Sequence, residues 1–237
     1  MSIRLLRLPD QKEWKPFTPE QLLEYIHKDV TFAQTNGELL KIIIESLDRL
    51  DERLHGVTPM VPFLWNFWAE TNGTESQKTK KSKKTTHKKH KDENSISNFV
   101  TDHLRTDLKN KIIANREPEV NNHTGKDGKR IDISVEAMPL DENSQDTLSV
   151  AIEAKGCWKS DELETAMKIQ LVEKYLIDSQ HTHGIYLVYW TGDRDCKFKS
   201  IEELKNFLEK QAKELSVDPK KIKSYVLDCS IKNRDEK

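Results

Sequence analysis

The segment GIYLVYW at residues 184–190 constrains the fold most strongly, because it is apolar at every position. A strand that has one face in water alternates apolar with polar side chains, whereas a strand covered on both sides is apolar throughout. A predicted helix over residues 161–178 comes shortly before this segment. The pattern therefore predicts an α/β protein in which a central sheet is flanked by helices.

A second predicted strand, SVAIEAKGCW at residues 149–158, carries two charges inside an apolar run. Glu153 and Lys155 are two residues apart, so their side chains lie on the same face of the strand. Two buried charges are costly unless they face a cleft, a metal ion or each other. The pattern therefore indicates a functional site at this strand.

The surrounding patterns give the order of the elements. A capped apolar stripe predicts a helix from about residue 94, and two alternating segments predict strands over 111–120 and 130–137 with a turn at Asp127-Gly128. After the central strand, a capping box at residue 200 predicts another helix, and residues 223–229 predict a last strand. The predicted order is helix, three strands, helix, strand, helix, strand.

The N-terminal part has a different pattern. A cap at Thr18 and helically spaced apolar residues over 38–55 predict a small helical region at residues 1–70. Residues 71–93 are rich in lysine, and we predict a flexible linker that either acts as a solvated tether or holds nucleic-acid phosphates. Residues 94–237 form the second predicted domain.

Composition restricts the class of protein. The 237 residues carry a net charge of −1, and the three cysteines have no CxxC spacing, which disfavours a disulfide framework or a zinc site. No apolar run reaches the roughly 18 residues of a membrane span, and the charged N-terminus does not resemble a signal peptide. We predict a soluble, cytoplasmic protein without a membrane partner.

Asp132 and Glu153 fall on neighbouring predicted strands. Mg²⁺ prefers oxygen ligands and retains several waters, so two carboxylates and the backbone carbonyl of Ala154 form a candidate Mg²⁺ site. Such an ion polarises a phosphate and lowers the pKa of a bound water. Lys155 would position that water or neutralise the developing charge.

Further polar residues are candidates for contacts with substrate. Gln170 and Lys174 are four residues apart and share a helix face, where the glutamine could hold water or phosphate and the lysine could contact a DNA backbone. An exposed polar face without function is the alternative for this pair. Lys129 and Arg130 belong to a basic predicted hairpin that could lean on DNA.

The αβββαβ order, with Asp132, Glu153-Ala154-Lys155 and then Gln170, resembles the PD-(D/E)XK, or restriction-endonuclease-like, nuclease superfamily. The resemblance covers residues 95–190 and extends towards 230. It implies a mixed central sheet flanked by helices, with Asp132 and Glu153 as metal ligands, Lys155 as the catalytic lysine and Gln170 as an accessory residue.

The chain departs from the superfamily pattern at three places. Asp132 follows Arg130-Ile131 rather than a proline. An acidic residue that the superfamily often carries on its first helix has no clear equivalent, and four residues are candidates. They are Asp102, Asp107, Glu117 and Glu119. In one branch a tyrosine follows the glutamine by four residues, but here Lys174 holds that place and Tyr175 comes one later.

The resemblance implies an Mg²⁺-dependent DNA endonuclease, with Mn²⁺ as a substitute metal. The stretch EAKGCW followed by HGIYLVYW also resembles nuclease domains of bacterial conflict and defence proteins, which implies a prokaryotic anti-phage effector and possible defence-system partners. Two alternatives remain: a catalytically inactive nucleic-acid-binding module and an RNA nuclease. The apolar stripes of the N-terminal helices are larger than a lone hairpin can bury, so we predict that these helices either dock onto the nuclease domain or form a homo-oligomer.

Overall fold

The computed structural model describes residues 18–19, 33–70, 85–108, 112–116, 119–120, 129–139, 147–177, 181–192 and 195–231. The side chains of residues 70, 85–86, 119–120 and 129–130 are outside this description. The chain forms two compact units, Met1–Thr31 and Phe32–Lys237. The helix predicted to begin at Thr18 lies in the first unit and, apart from Thr18 and Pro19, outside the described residues.

The described strands and helices of the second unit have the following bounds. The strands are β1 (Trp65–Glu70), β2 (Thr85–His90), β3 (Ile112–Arg116), β4 (Glu119–Val120), β5 (Lys129–Arg130), β6 (Ile133–Ala137), β7 (Leu148–Gly156), β8 (His183–Trp190) and β9 (Lys221–Asp228). The helices are α1 (Asn36–His55), α2 (Glu93–Asp107), α3 (Ser160–Leu163), the π-helix (Met167–Tyr175) and α4 (Ile201–Leu215), with a 3₁₀ turn at Val61–Leu64.

Five strands form one mixed sheet in the order β3-β6-β7-β8-β9. The pairs β3–β6 and β6–β7 are antiparallel, while β7–β8 and β8–β9 are parallel. The predicted central strand is confirmed: β8 is hydrogen-bonded on both edges and is buried from Gly184 to Trp190.

Helices cover both faces of this sheet, and each face has its own apolar core. One core joins α1 and α2 to strand residues such as Ile152 and Leu187. The other joins the π-helix and α4 to strand residues such as Tyr186 and Val188. Alternate residues of each strand enter opposite cores because side chains alternate along a strand. The prediction of a mixed α/β sheet flanked by helices is therefore confirmed.

Helix α1 is part of the first of these cores. Its five most regularly spaced apolar residues are fully buried, and the helix contacts β7, β8, β9 and α2. These residues are Leu39, Ile43, Leu47, Leu50 and Leu54. No helix among the described residues has the length and apolar character needed to cross a membrane.

The helix predicted over 161–178 is divided in the structure. It consists of the short α3 and the π-helix, and at the end of the latter the Leu176 N–H donates to the Leu171 carbonyl, five residues earlier, at 3.0 Å. Hydrophobic periodicity identified the helix but did not distinguish α-helical from π-helical winding.

The strands predicted over 111–120 and 130–137 are also divided. β3 and β6 pair with each other, whereas β4 and β5 form a separate two-stranded ladder. The break between β5 and β6 falls at Ile131 and Asp132. Asp132 therefore lies just before β6 rather than inside a strand. The turn predicted at Asp127-Gly128 is outside the described residues.

An antiparallel hairpin was not predicted. β1 and β2 pair from Trp65 opposite His90 to Glu70 opposite Thr85, so a strand lies inside the segment that the sequence suggested as a flexible linker. That part of the prediction is wrong for residues 85–90. The segment lacks large apolar residues, but its backbone is hydrogen-bonded to an aromatic partner strand, which local composition does not reveal.

Candidate active site

The site is built where β6 and β7 meet. The antiparallel ladder ends with Ile133 opposite Ile152. The next position brings Asp132 to β7, where its Oδ2 accepts a hydrogen bond from the Ala154 N–H at 2.9 Å. Strand register therefore brings together Asp132 and the Glu153-Ala154-Lys155 segment, as the sequence predicted.

Glu153 is the most deeply buried charged group of the site, with 1% of its surface exposed. Lys155 Nζ lies 3.0 Å from its Oε1. Within the described part of the chain, neither carboxylate oxygen has a hydrogen bond of good geometry. A buried carboxylate with unsatisfied lone pairs is expensive, so this group is held in place by the surrounding fold.

Burial and neighbouring charge raise the pKa of both carboxylates. For Glu153, burial is the main cause and the charge of Asp132 adds to it, so that the pKa reaches about 7 even with Lys155 nearby. Burial likewise raises the pKa of Asp132, against the opposing hydrogen bond from Ala154. Perturbed carboxylates that lie together in this way are typical of functional sites.

Lys155 lies at the centre of a ring of carboxylates. Besides Glu153, its Nζ lies 3.8 Å from Glu93 Oε1 and 3.8 Å from Glu162 Oε2. Burial lowers the pKa of Lys155, but the charges of Glu153 and Glu93 outweigh burial and raise it above its usual value. Lys155 therefore remains a cation at neutral pH.

Glu93 is a member of the site that the sequence did not suggest. It is the first residue of α2, its Oε2 accepts a hydrogen bond from the Gly156 N–H at 2.9 Å, and its Oε1 lies 3.2 Å from Lys159 Nζ. Its position is the last residue of the segment predicted to be a flexible linker. The N-cap of α2 at Asp92 was the available signal, because it identifies the residue that begins the helix.

Of the four acidic candidates suggested by the resemblance, the two that the structure describes do not occupy this position. Asp102 is exposed, and Asp107 binds Arg49 and Ser46 with oxygen contacts of 2.6 Å. Glu117 and the side chain of Glu119 are outside the described residues. Among the described residues of α2, Glu93 is the acidic residue whose side chain contacts Lys155 and the Gly156 backbone.

The π-helix brings Tyr175 to the site. The phenol lies close enough to Glu153 for the two groups to shift each other's pKa: burial raises the pKa of Tyr175 and the Glu153 charge adds to this effect. The wider turn of a π-helix, whose hydrogen bonds connect i with i+5, brings residues five apart closer to one face than an α-helix does. Gln170 and Tyr175 therefore come towards one face of the helix, although they are five residues apart and not four as in that branch of the superfamily.

The other predicted contact residues lie in different surroundings. Gln170 is half-buried on the π-helix and makes no hydrogen bond to Asp132, Glu153 or Lys155 within the described residues. Lys174 Nζ lies 3.3 Å from the Tyr175 hydroxyl, at the border of the site. The backbones of Lys129 and Arg130 form β5, but their side chains are outside the description.

Asp132 and Glu153 are the carboxylates available to a divalent cation at this site. No group of three or more His, Cys, Asp or Glu side chains suited to a metal occurs among the described residues. Mg²⁺ needs fewer, because it is commonly held by one or two carboxylates and retains water. Asp132 fits this requirement, and so does Glu153, whose oxygens have no hydrogen bond of good geometry among the described residues.

Comparison of the chain with protein-family models, with curated proteins and with solved structures finds no match.

Proposed function

We propose that this chain is a metal-dependent DNA endonuclease of the PD-(D/E)XK, restriction-endonuclease-like class. The observation that carries the proposal is the contact between Asp132 and the Glu153-Ala154-Lys155 segment. The half-buried carboxylate of Asp132 and the buried carboxylate of Glu153, both of raised pKa, lie next to a lysine that remains charged. The order of α2, three sheet strands, the π-helix and β8 agrees with the αβββαβ arrangement of that class.

In the proposed mechanism Asp132, Glu153 and the Ala154 carbonyl oxygen hold Mg²⁺ or Mn²⁺. Such an ion, when bound, polarises the scissile phosphate and lowers the pKa of a water ligand. Glu153 must lose its proton to act as a ligand, and its pKa of about 7 makes this possible near neutral pH.

Lys155 contributes its charge in this mechanism. Because its pKa is raised, it does not act as a general base at neutral pH, and its ammonium group stabilises negative charge that develops on the phosphate. Glu93 positions Lys155 and the backbone of Gly156 through the contacts already described. Gln170 and Tyr175, on the same side of the π-helix, border the place where substrate would lie.

The resemblance to bacterial conflict-protein nuclease domains supports a role in prokaryotic anti-phage defence. On this proposal DNA is the principal partner. A homo-oligomer or other defence-system subunits would bring two active sites to the two strands of a duplex, because each site cuts one strand.

Cleavage assays with a metal titration test this proposal. Supercoiled, linear and single-stranded DNA and an RNA of the same sequence are incubated with Mg²⁺ or Mn²⁺ and, separately, with EDTA. We expect metal-dependent cleavage of DNA that Asp132→Ala and Glu153→Ala abolish, while Glu136→Ala on β6 cleaves as wild type does. If no substrate is cleaved under any metal condition, the proposal is refuted. If RNA alone is cleaved, the proposed substrate changes from DNA to RNA.

A nucleic-acid-binding module without hydrolysis is the second candidate. One observation favours it: no third acidic, histidine or cysteine side chain completes a metal cluster among the described residues. This candidate predicts salt-sensitive binding of DNA without cleavage at any metal concentration.

A further inference from the structure

The hairpin of β1 and β2 carries aromatic and basic side chains beside the candidate active site. Trp68 is 44% exposed, and its ring stacks on His87 with centroids 5.6 Å apart. Lys88 Nζ lies 5.6 Å from the centre of the Trp65 ring. These contacts combine flat apolar rings with cations on one small element.

Trp65, Trp68 and Lys88 line a groove of about 540 Å³. One wall is the hairpin, with Trp65, Trp68, Lys88 and Lys89, and the other is formed by residues that follow the ends of β8 and β9. One carboxylate, Asp195, also lines the groove. The volume is within the ~300–1,000 Å³ range of ligand clefts, and crevices at the carboxyl ends of parallel strands are the usual binding places of open α/β sheets.

The groove leads towards the candidate active site. His90, the last residue of β2, stacks on Trp158 with ring centroids 3.8 Å apart. Trp158 in turn covers Gly156 so closely that a β-carbon there would lie 2.3 Å from the indole. Lys89 and Glu93 are four residues apart, so their α-carbons are separated by no more than about 14 Å.

We propose that the groove between the β1–β2 hairpin and the ends of β8 and β9 binds single-stranded DNA next to the active site, with Trp68 stacking on a base and Lys88 and Lys89 contacting phosphates. Aromatic rings beside a basic groove are how single strands are held without sequence preference. In a duplex the bases are already stacked on one another, so an exposed Trp68 would gain little from duplex DNA.

The proposal takes DNA as the ligand from the proposed function, so binding is measured separately from cleavage. The full 237-residue chain is titrated, in EDTA, into a fluorescently labelled oligo-dT of about 20 nucleotides while anisotropy is recorded. We expect Trp68→Ala to raise the Kd at least about fivefold, and Trp68→Tyr, which keeps an aromatic ring, to bind within about threefold of wild type.

A matched control lies on the same hairpin. Phe67 is 52% exposed and does not line the groove, so Phe67→Ala should bind oligo-dT as wild type does. Lys88→Gln/Lys89→Gln should reduce the salt slope of log Kobs by about 1.4, because each phosphate contact to a single strand contributes about 0.7. Lys168→Gln, an exposed lysine on the π-helix, should leave the slope unchanged.

Several results would overturn the proposal that the groove binds single-stranded DNA. They are wild-type affinity in Trp68→Ala, equal losses in Phe67→Ala and Trp68→Ala, equal losses in Trp68→Tyr and Trp68→Ala, or binding of oligo-U or duplex DNA as tight as that of oligo-dT. A change of oligomeric state in Trp68→Ala at unchanged oligo-dT affinity would assign Trp68 to a contact between two copies instead.

The proposed nuclease activity and the proposed binding of single-stranded DNA in the groove are refuted by different results. A chain that cleaves DNA but binds oligo-dT independently of Trp68 refutes only the groove. A chain that binds oligo-dT through Trp68 but never cleaves refutes only the nuclease.

Discussion

Glu153 is the residue at which stability and the proposed activity are in conflict. Its carboxylate is buried, its oxygens lack well-formed hydrogen bonds within the described residues, and its pKa is raised from 4.5 to about 7. In an ordinary core this position would hold an apolar side chain. A protein retains such a cost where the group is needed for function, because stabilising substitutions at active sites usually reduce activity.

This conflict predicts a pH-dependent gain of stability in Glu153→Gln. Between pH 4.5 and 7 the folded state holds a proton that the unfolded state has released, so wild-type stability falls as pH rises through this window. Glutamine removes that loss, and we expect the variant to be about 1–3 kcal/mol more stable than wild type at pH 8, with little difference at pH 4.5.

Urea denaturation without divalent cations at the two pH values measures this difference. Glu136→Gln, on the neighbouring strand β6, serves as the control and should show no gain that depends on pH. A Glu153→Gln variant that is less stable than wild type at pH 8 would contradict the raised pKa, because it would mean that the charged form stabilises the fold.

At the scale of elements, α2 delivers Glu93 to the site through the position of its first turn. Asp92 caps this helix by accepting a hydrogen bond from the Ser95 N–H at 2.8 Å. Ser200 caps α4 in the same way, accepting from the Glu203 N–H at 3.1 Å. The two caps are alike, but only the helix of the first contributes a side chain to the candidate site.

Variants of the two N-caps distinguish an effect on stability from an effect on the geometry of the candidate site. Asp92→Ala and Ser200→Ala should each lower the free energy of unfolding by about 1 kcal/mol, because each leaves a helix N–H without its partner. We expect Asp92→Ala alone to slow DNA cleavage, since it loosens the turn that holds Glu93. Thermal unfolding and cleavage rates measured on both variants check this expectation, and equal cleavage rates would indicate that the turn does not position Glu93.

These elements also show how far the sequence could predict the structure. The strands that carry Asp132, Glu153 and Lys155 were recognisable because apolar alternation is a local signal. Glu93 was not, because its relation to Gly156 depends on a contact between residues 63 positions apart. Tyr175 was excluded by its spacing, since the periodicity of the sequence does not report π-helical winding.

At the scale of the molecule, α1 belongs to the same apolar core as the sheet. Its five fully buried leucine and isoleucine residues pack in the core that also contains α2 and one face of β6, β7 and β8. Local pattern predicted the helix and left two places for its apolar face, the nuclease domain or a second copy of the chain. The structure places this face in the core of the sheet. The β1–β2 hairpin was missed, because pairing between distant strands decides whether Thr85–His90 forms a strand.

Two truncations test this account of the core. A chain that begins at residue 32 retains the whole second unit and should unfold in one cooperative transition. A chain that begins at residue 57 lacks α1 and loses roughly 10 kcal/mol of apolar burial, which is comparable with the entire stability of a typical domain. Circular dichroism during heating distinguishes the two, and a cooperatively folded chain without α1 would contradict the shared core.

The central claim is that Lys155 acts as a cation beside a metal held by Asp132 and Glu153. The most direct test compares single-turnover DNA cleavage by wild type, Lys155→Ala and the exposed-site control Lys168→Ala at saturating Mg²⁺ or Mn²⁺. We predict at least about a 100-fold slower rate for Lys155→Ala, the size of effect expected when one charge-stabilising group is removed, with Lys168→Ala unchanged. A folded Lys155→Ala variant that cleaves as fast as wild type would contradict the account.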